Sequence, residues 1–187
     1  MRSSRRTSWS SERRNNNRAE VTMHLEIERK FLVTSEEYRH QAFSCSHIRQ
    51  GYISSGNGRT VRVRIRDDKG FLTIKGPSDR AGLARYEFEK ELGIEDAEDL
   101  MLICEPGVID KHRYLVKSPD GRHTFEVDEF HGNNEGLVIA EVELSAEDEA
   151  YAKPGFIGKE VTGDRRYYNS HLRRYPFCLW GKDAEGL

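Results

Sequence analysis

The stretch His24-Leu25-Glu26-Ile27-Glu28-Arg29-Lys30-Phe31-Leu32 decides the fold of this chain. Glu26, Glu28 and Lys30 recur at every second position, so in a strand all three point to one face while Leu25, Ile27 and Phe31 point to the other. Two carboxylates spaced i, i+2 can share a hard divalent cation, and an ammonium on the same face can hold an anion that the cation also touches. Solvated sheet faces carry Glu and Lys as well, so the reading depends on whether the pattern repeats.

It does repeat. Arg62 and Arg64 alternate with Val61, Val63 and Ile65; Thr73 and Lys75 with Leu72 and Ile74; Arg85, Glu87 and Glu89 with Tyr86 and Phe88. Lys111 and Arg113 open a strand that runs to Val116, Glu126 and Asp128 flank Val127, and Glu141 and Glu143 flank Val142. These faces are almost purely ionic and sort into cation-rich and anion-rich strands, which solubility alone does not explain. Curled into a closed barrel, such faces must be paired, wet or ion-bound, because an isolated buried charge is prohibitively costly. A water-filled tunnel meets that condition, with divalent cations on its acidic wall and a polyanion on its basic wall.

Glu26-x-Glu28-x-Lys30, followed in order by Arg62-Val63-Arg64, Leu72-Thr73-Ile74-Lys75-Gly76, Glu87-Phe88-Glu89 and Glu141-Val142-Glu143, resembles the CYTH-domain superfamily, the triphosphate tunnel metalloenzymes. The resemblance runs from about Leu25 to Leu172. Ile48-Arg49-Gln50-Gly51-Tyr52, Phe125-Glu126-Val127-Asp128 and Gly163-Asp164-x-x-Tyr167-Tyr168-Asn169 look like its short bacterial branch. It implies an α+β fold, mainly antiparallel β: an eight-stranded closed barrel with a charged interior and short helices packed outside. The domain spans 23–172, between an arm at 1–22 and a tail at 173–187.

The resemblance also implies roles. Lys30, Arg62, Arg64, Lys75, Arg85 and Arg113 would grip a chain of phosphates. Glu26, Glu28, Glu141 and Glu143 would hold Mg²⁺ or Mn²⁺, and Glu87, Glu89, Glu126 and Asp128 would complete that shell or hold a second ion. Lys111 and Tyr52 would lie nearest the scissile end, and Glu28 and Lys30 would take part in catalysis. The implied activity is hydrolysis of inorganic tripolyphosphate. The alternatives within the family are an adenylate cyclase of class IV type or a thiamine or nucleoside triphosphatase, and outside it a polyphosphate-binding module without turnover. Complete carboxylate pairs favour an enzyme, because a pure anion binder gains nothing from acidic residues unless metals are bound.

Composition narrows the rest. A chain of 187 residues can bury a sizeable core, and an ion-lined interior accounts for 33% charged against 36% hydrophobic residues. Leu137-Val138-Ile139-Ala140 is far too short to cross a bilayer. Cys45, Cys104 and Cys178 are widely spaced and read as reduced packing residues of a cytoplasmic protein. The Arg, Ser and Asn-rich arm 1–22 has no hydrophobic period and reads as disordered, with Met23 as an alternative start. Its six arginines and two glutamates aside, 24 basic and 30 acidic residues remain, a net of −6 that argues against nucleic acid as a partner. Nothing sets the oligomeric state, and a homodimer is allowed for.

Thr34-Ser35-Glu36-Glu37 has the form of a capping box opening a helix to about Ala42, and Ile94 to Cys104 places Ala97, Leu100, Met101 and Cys104 on one stripe. Pro154 to Gly158 and Asp164 to Arg173 read as short helices, the second capped by Asp164. The tail from Tyr175 to Trp180 is expected to dock outside the barrel. His112 should point away from Lys111 and Arg113. Gly56-Asn57-Gly58 reads as a turn, since no helix with a phosphate-loop Lys follows it.

Overall fold

The computed structural model describes residues 25–78 and 84–181, with side chains from residues 27 to 77 and 86 to 181. The arm, His24 and the end of the tail lie outside the described residues. The strands are β1 (Leu25–Val33), β2 (Ser44–Gly56), β3 (Arg59–Arg66), β4 (Lys69–Ser78), β5 (Ala84–Leu92), β6 (Ile109–Lys117), β7 (Thr124–Phe130), β8 (Val138–Leu144) and β9 (Ile157–Glu160). The helices are α1 (Glu37–Gln41), α2 (Ile94–Leu102) and α3 (Asn169–Leu172), with single 3₁₀ turns at Gly132–Asn134, Arg165–Tyr167 and Phe177–Leu179. The class is α+β, mainly antiparallel.

All strands join one sheet in the order β5-β4-β3-β2-β6-β7-β8-β1-β9. Strand β5, at one end of that order, also pairs with β1 through Leu25 opposite Tyr86, Glu26 opposite Arg85 and Ile27 opposite Ala84. Between β2 and β3, Asn57 and Gly58 both have positive φ, at 50° and 75°, the geometry of a tight type I′ hairpin.

The period-2 pattern splits the sheet into two faces. On one, Phe31, Val116, Phe125, Val127, Ala140, Val142 and Leu144 form an apolar cluster with Tyr38 of α1 and Phe156. Burying a side chain such as Phe31 contributes about 1.5–3 kcal/mol. On the same side, Val63 and Ile65 of β3 pack under α2 through Ala97, Leu100, Met101 and Cys104. Both helices thus cover the face opposite the charges, as their stripes predict.

A third cluster behaves differently. Ile109, Phe130 and Ile139 are buried together with Leu172, Tyr167 and Val161, and Leu32, Phe177 and Trp180 pack against them. By strand parity Leu32, Ile109, Phe130 and Ile139 share the face of Lys30, Lys111, Asp128 and Glu141. The charged face therefore turns apolar toward one end, and the C-terminal segment packs there. The tail docks against that end, where Phe177 and Trp180 pack on the apolar part of the ionic side.

Three local expectations also change. Pro154 to Gly158 is not a helix: Ile157–Glu160 adds a strand to β1, with Phe31 opposite Glu160 and Val33 opposite Ile157. Gly158 suits that approach, since a Cβ there would lie 2.7 Å from Thr34 Cγ2. The capping box does not form. Helix α1 begins at Glu37 without a side-chain cap, and the Thr34 hydroxyl donates instead to the Phe156 carbonyl at 3.0 Å. Cys45 and Cys178 are exposed and only Cys104 packs, its thiol donating to the Leu100 carbonyl. Asp164, by contrast, does cap its turn by accepting from the Arg166 amide.

Candidate active site

The charged faces of the strands surround a cavity of about 540 Å³. Each wall comes from the alternation of one strand. β1 contributes Glu28 and Lys30, β2 Tyr52, β3 Arg62 and Arg64, β4 Lys75, β5 Glu87 and Glu89, β6 Arg113, β7 Glu126, and β8 Glu141 and Glu143. The structure therefore brings together twelve of the side chains singled out from the sequence. The side chains of Glu26 and Arg85 lie outside the described ones, although their backbones face each other across β1 and β5.

Two ion networks hold these walls. In the first, the Lys30 ammonium bonds Glu141, and Glu28 lies 3.7 Å away. Arg113 bonds Glu126, reaches Glu141 at 3.4 Å, and meets Asp128 with Nε and Nη2, each at 2.6 Å. In the second, Arg64 pairs with Glu89 at 2.6 Å, Lys75 with Glu87 at 2.5 Å, and Arg62 lies 3.5 Å from Glu89 and 3.8 Å from Glu87. The buried Thr73 hydroxyl ties that network together, donating to Glu89 at 2.8 Å and accepting from Arg62 Nη2 at 3.1 Å.

Burial alone would raise the Glu141 carboxyl, but Lys30, Arg113 and Lys111 outweigh it and hold that group well below the usual range. For Glu89 the same contest is won by Arg64, Thr73 and Arg62, and the carboxyl is lowered. Burial and the neighbouring Arg62 bring the Arg64 guanidinium down to about 10. Glu141 and Glu89 are thus held as carboxylates against their burial by the cations paired with them.

Lys111 and Asp128 depart from expectation. Both are only 1% exposed, neither lines the cavity, and the Lys111 ammonium bonds Asp128. Burial, helped by Arg113, brings Lys111 down to about 8. Asp128 is lowered because Arg113 and Lys111 overcome its burial. Both of its oxygens are committed to those two cations, so it supports Arg113 from behind the wall. Tyr52 does reach the cavity, 4% exposed, with the Gln50 amide donating to its hydroxyl at 3.3 Å and the Arg173 guanidinium 5.5 Å from its ring.

Other lining residues carry no strand-wide charge pattern. Thr60 continues the face of Arg62, and extending the alternation by one step would have found it. Tyr168, Asn169 and Ser170 arrive with the C-terminal segment, Tyr168 lying 5.9 Å from the Lys30 ammonium. Arg122, His123 and Thr124 sit on the β6–β7 hairpin, and Ser145 and Glu149 follow β8. His112 points to the opposite face, between a tilted His47 ring and an edge-on His131 ring with centroids 5.0 and 4.9 Å away. Among the described residues no helix is long and apolar enough to cross a membrane.

Comparison with known proteins agrees with this geometry. The family model of the CYTH domain matches residues 24–170. An inorganic triphosphatase of Acetivibrio thermocellus is 47% identical over 156 residues, 83% of this chain and 97% of that protein. One from Nitrosomonas europaea is 36% identical over 150 residues, 79% of this chain and 95% of that protein. Among solved structures, the crystal structure of an inorganic triphosphatase superposes with a TM-score of 0.56 at 33% identity, covering 79% of this chain and 93% of that one.

Proposed function

Since this chain belongs to the CYTH domain family, we propose that it hydrolyses inorganic tripolyphosphate to pyrophosphate and phosphate, assisted by Mg²⁺ or Mn²⁺, in the cytoplasm. The observation that carries this reading is the pairing inside the cavity. Lys30, Arg62, Arg64, Lys75 and Arg113 each face a carboxylate. A polyanion and a divalent cation can replace that internal pairing together, the anion taking the cationic groups and the metal the carboxylates. The pairing of β5 with β1 supports reading β1 to β8 as a tunnel around this exchange.

The carboxylates suit a hard divalent ion. Glu28 stands directly opposite Glu143 across β1 and β8, and Glu126 opposite Glu141 across β7 and β8. Like charges so placed repel, and an oxygen-loving cation relieves them. Among the described residues no three metal-ligating side chains already converge. That fits an ion carried by one or two carboxylates together with substrate oxygens, the usual habit of Mg²⁺. Glu28, Glu143, Glu126 and Glu141 would hold it, with Glu87 and Glu89 on the other network. When bound, such an ion draws charge from phosphoryl oxygens and acidifies water.

The chain's own residues supply the remainder. Water attacking a phosphorus meets repulsion from the surrounding oxygens, and fixed cations lower that barrier by standing where charge accumulates. Arg62, Arg64 and Arg113 offer forked donors, while Lys30 and Lys75 offer compact charge. Tyr52 stands on the wall beside them. Lys111, one layer behind, would act through Asp128 on the placement of Arg113. The free cysteines support a reducing compartment.

The test is to incubate the purified chain with tripolyphosphate, ATP or thiamine triphosphate, in Mg²⁺, Mn²⁺ or EDTA, and separate the products. Metal-dependent release of phosphate and pyrophosphate, fastest from tripolyphosphate, is expected. Faster conversion of ATP to a cyclic nucleotide overturns the reading.

A further inference from the structure

We infer that Arg173 is a positioning residue for the reaction, holding Tyr52 of β2 in its place on the cavity wall. This rests on the triphosphatase reading and adds to it a residue that stands behind the wall, on the C-terminal segment.

Tyr52 needs such a hold. It lines the cavity near the end of β2, where the ladder to β6 has stopped at Gln50 and the register with β3 shifts between Tyr52 and Ser54. At such an irregularity a strand bends, and its side chains are re-aimed. What packs there is the connection between α2 and β6, together with the residue that ends α3. The Glu105 amide donates to the Tyr52 carbonyl at 2.8 Å, and the Glu105 carboxylate bonds Arg173. The Arg173 guanidinium lies 5.5 Å from the Tyr52 ring. Backbone and ring of Tyr52 are thereby tied to one ion pair.

Arg173 is itself fixed. Its side chain is only 2% exposed and does not line the cavity. Nη1 donates to the Pro106 carbonyl at 2.9 Å, and Nη2 donates to the Ser55 hydroxyl at 2.6 Å and to Glu105. Ser55 follows the register shift and Tyr52 precedes it, so the guanidinium meets β2 on both sides of the irregularity. Arg174 reinforces the same junction, reaching the Ser55 carbonyl at 3.0 Å and Glu105 at 3.3 Å. The backbones are close as well: a Cβ on Gly107 would lie 2.3 Å from the Arg173 carbonyl oxygen. Just upstream, Tyr167 and Leu172 are buried in the third apolar cluster, which anchors the segment that carries Arg173. A planar fork can reach three acceptors while lying over an aromatic ring, which the single ammonium of a lysine cannot match.

The test is a double-mutant cycle on the full chain, comprising wild type, Arg173→Met, Tyr52→Leu and the two together, with Arg173→Lys beside them. Steady-state hydrolysis of tripolyphosphate and deuterium exchange of the Glu105 amide are measured. Misplacing a wall residue should lower kcat/KM about tenfold in Arg173→Met, and Arg173→Lys should restore only part of it. Because Arg173 acts through Tyr52, the double variant should fall within about twofold of Tyr52→Leu alone. The Glu105 amide should exchange about tenfold faster in Arg173→Met. Losses that multiply, or a folded Arg173→Met with wild-type kinetics, overturn the inference and leave the triphosphatase reading intact. If Arg173→Met does not fold, Arg173→Lys takes its place in the cycle. A wild-type chain that releases no phosphate defeats the activity, and amide exchange then decides: faster exchange in Arg173→Met upholds the hold on Tyr52, and unchanged exchange overturns it.

Discussion

Asp128 gives both carboxylate oxygens to Arg113, at 2.6 Å from Nε and 2.6 Å from Nη2, and thereby sets the plane of a guanidinium that lines the cavity. Removing that carboxylate leaves two buried cations facing each other. Asp128→Asn should cost about 3–5 kcal/mol, the scale for breaking one side of a buried ion pair. It should also raise KM by misplacing Arg113. Urea unfolding and steady-state kinetics check the two effects, and a variant as stable as wild type would show that the network contributes nothing.

Lys111 and Asp128 also give the stability a pH signature. The folded pKa of Lys111, at about 8, is below its unfolded value of about 10.4, so the unfolded chain binds more protons between those values. Through this group stability rises as pH goes from about 8 to about 10, and Lys111→Met should lose that rise. Asp128 and Glu141 have lowered folded pKa values. Their contribution is complete above the unfolded carboxylate value of about 4 and is lost as pH falls through the folded values. Unfolding free energies measured across pH in wild type, Lys111→Met and Glu141→Gln separate the two arms.

Glu28→Gln keeps size and removes one ligand charge opposite Glu143. Turnover of tripolyphosphate should fall below about 1% of wild type at any Mg²⁺ or Mn²⁺ concentration, a loss of the size a transition-state charge partner commands. The melting temperature should hold. Full activity in this variant removes Glu28 from metal binding.

Thr73 has one hydroxyl joining Arg62 to Glu89. Thr73→Val preserves shape and deletes that bridge, leaving buried polar groups short of a partner at about 1–3 kcal/mol. KM should rise several-fold more than kcat falls, and Thr73→Ser should restore both. Failure of serine to rescue would show that the methyl, not the hydroxyl, matters.

The inward set was legible because a charge at every second position survives any twist of a strand, and Glu28, Lys30, Arg62 and Glu141 needed only parity. Depth was not legible. Parity puts Lys111 on the same face as Arg113 but says nothing of which reaches open space, and that depends on stagger between neighbouring strands. Strand β2 hid its length because Ser44 to Gly56 mixes serine and glycine with few apolar residues. The helix expected at Pro154 to Gly158 failed because an edge of β1 offered hydrogen bonds that local preference could not foresee. His123 and Glu149 were invisible for a related reason: a hairpin turn and a later loop bring them together across 26 residues, with no periodicity to announce it.

Strand β1 stands at the beginning of the described chain, yet its ladder runs along β8, where Lys30 lies opposite Glu141, 111 residues later. During synthesis on a ribosome, that ladder has no partner until most of the polypeptide has emerged. Closing so long a loop costs conformational entropy before any contact repays it, so this seam should be the slow step of folding. A nascent or prematurely ended chain therefore carries Glu28 and Lys30 with nothing opposite them. The wall that Lys30 and Glu141 share is thus completed only by the final third of the chain.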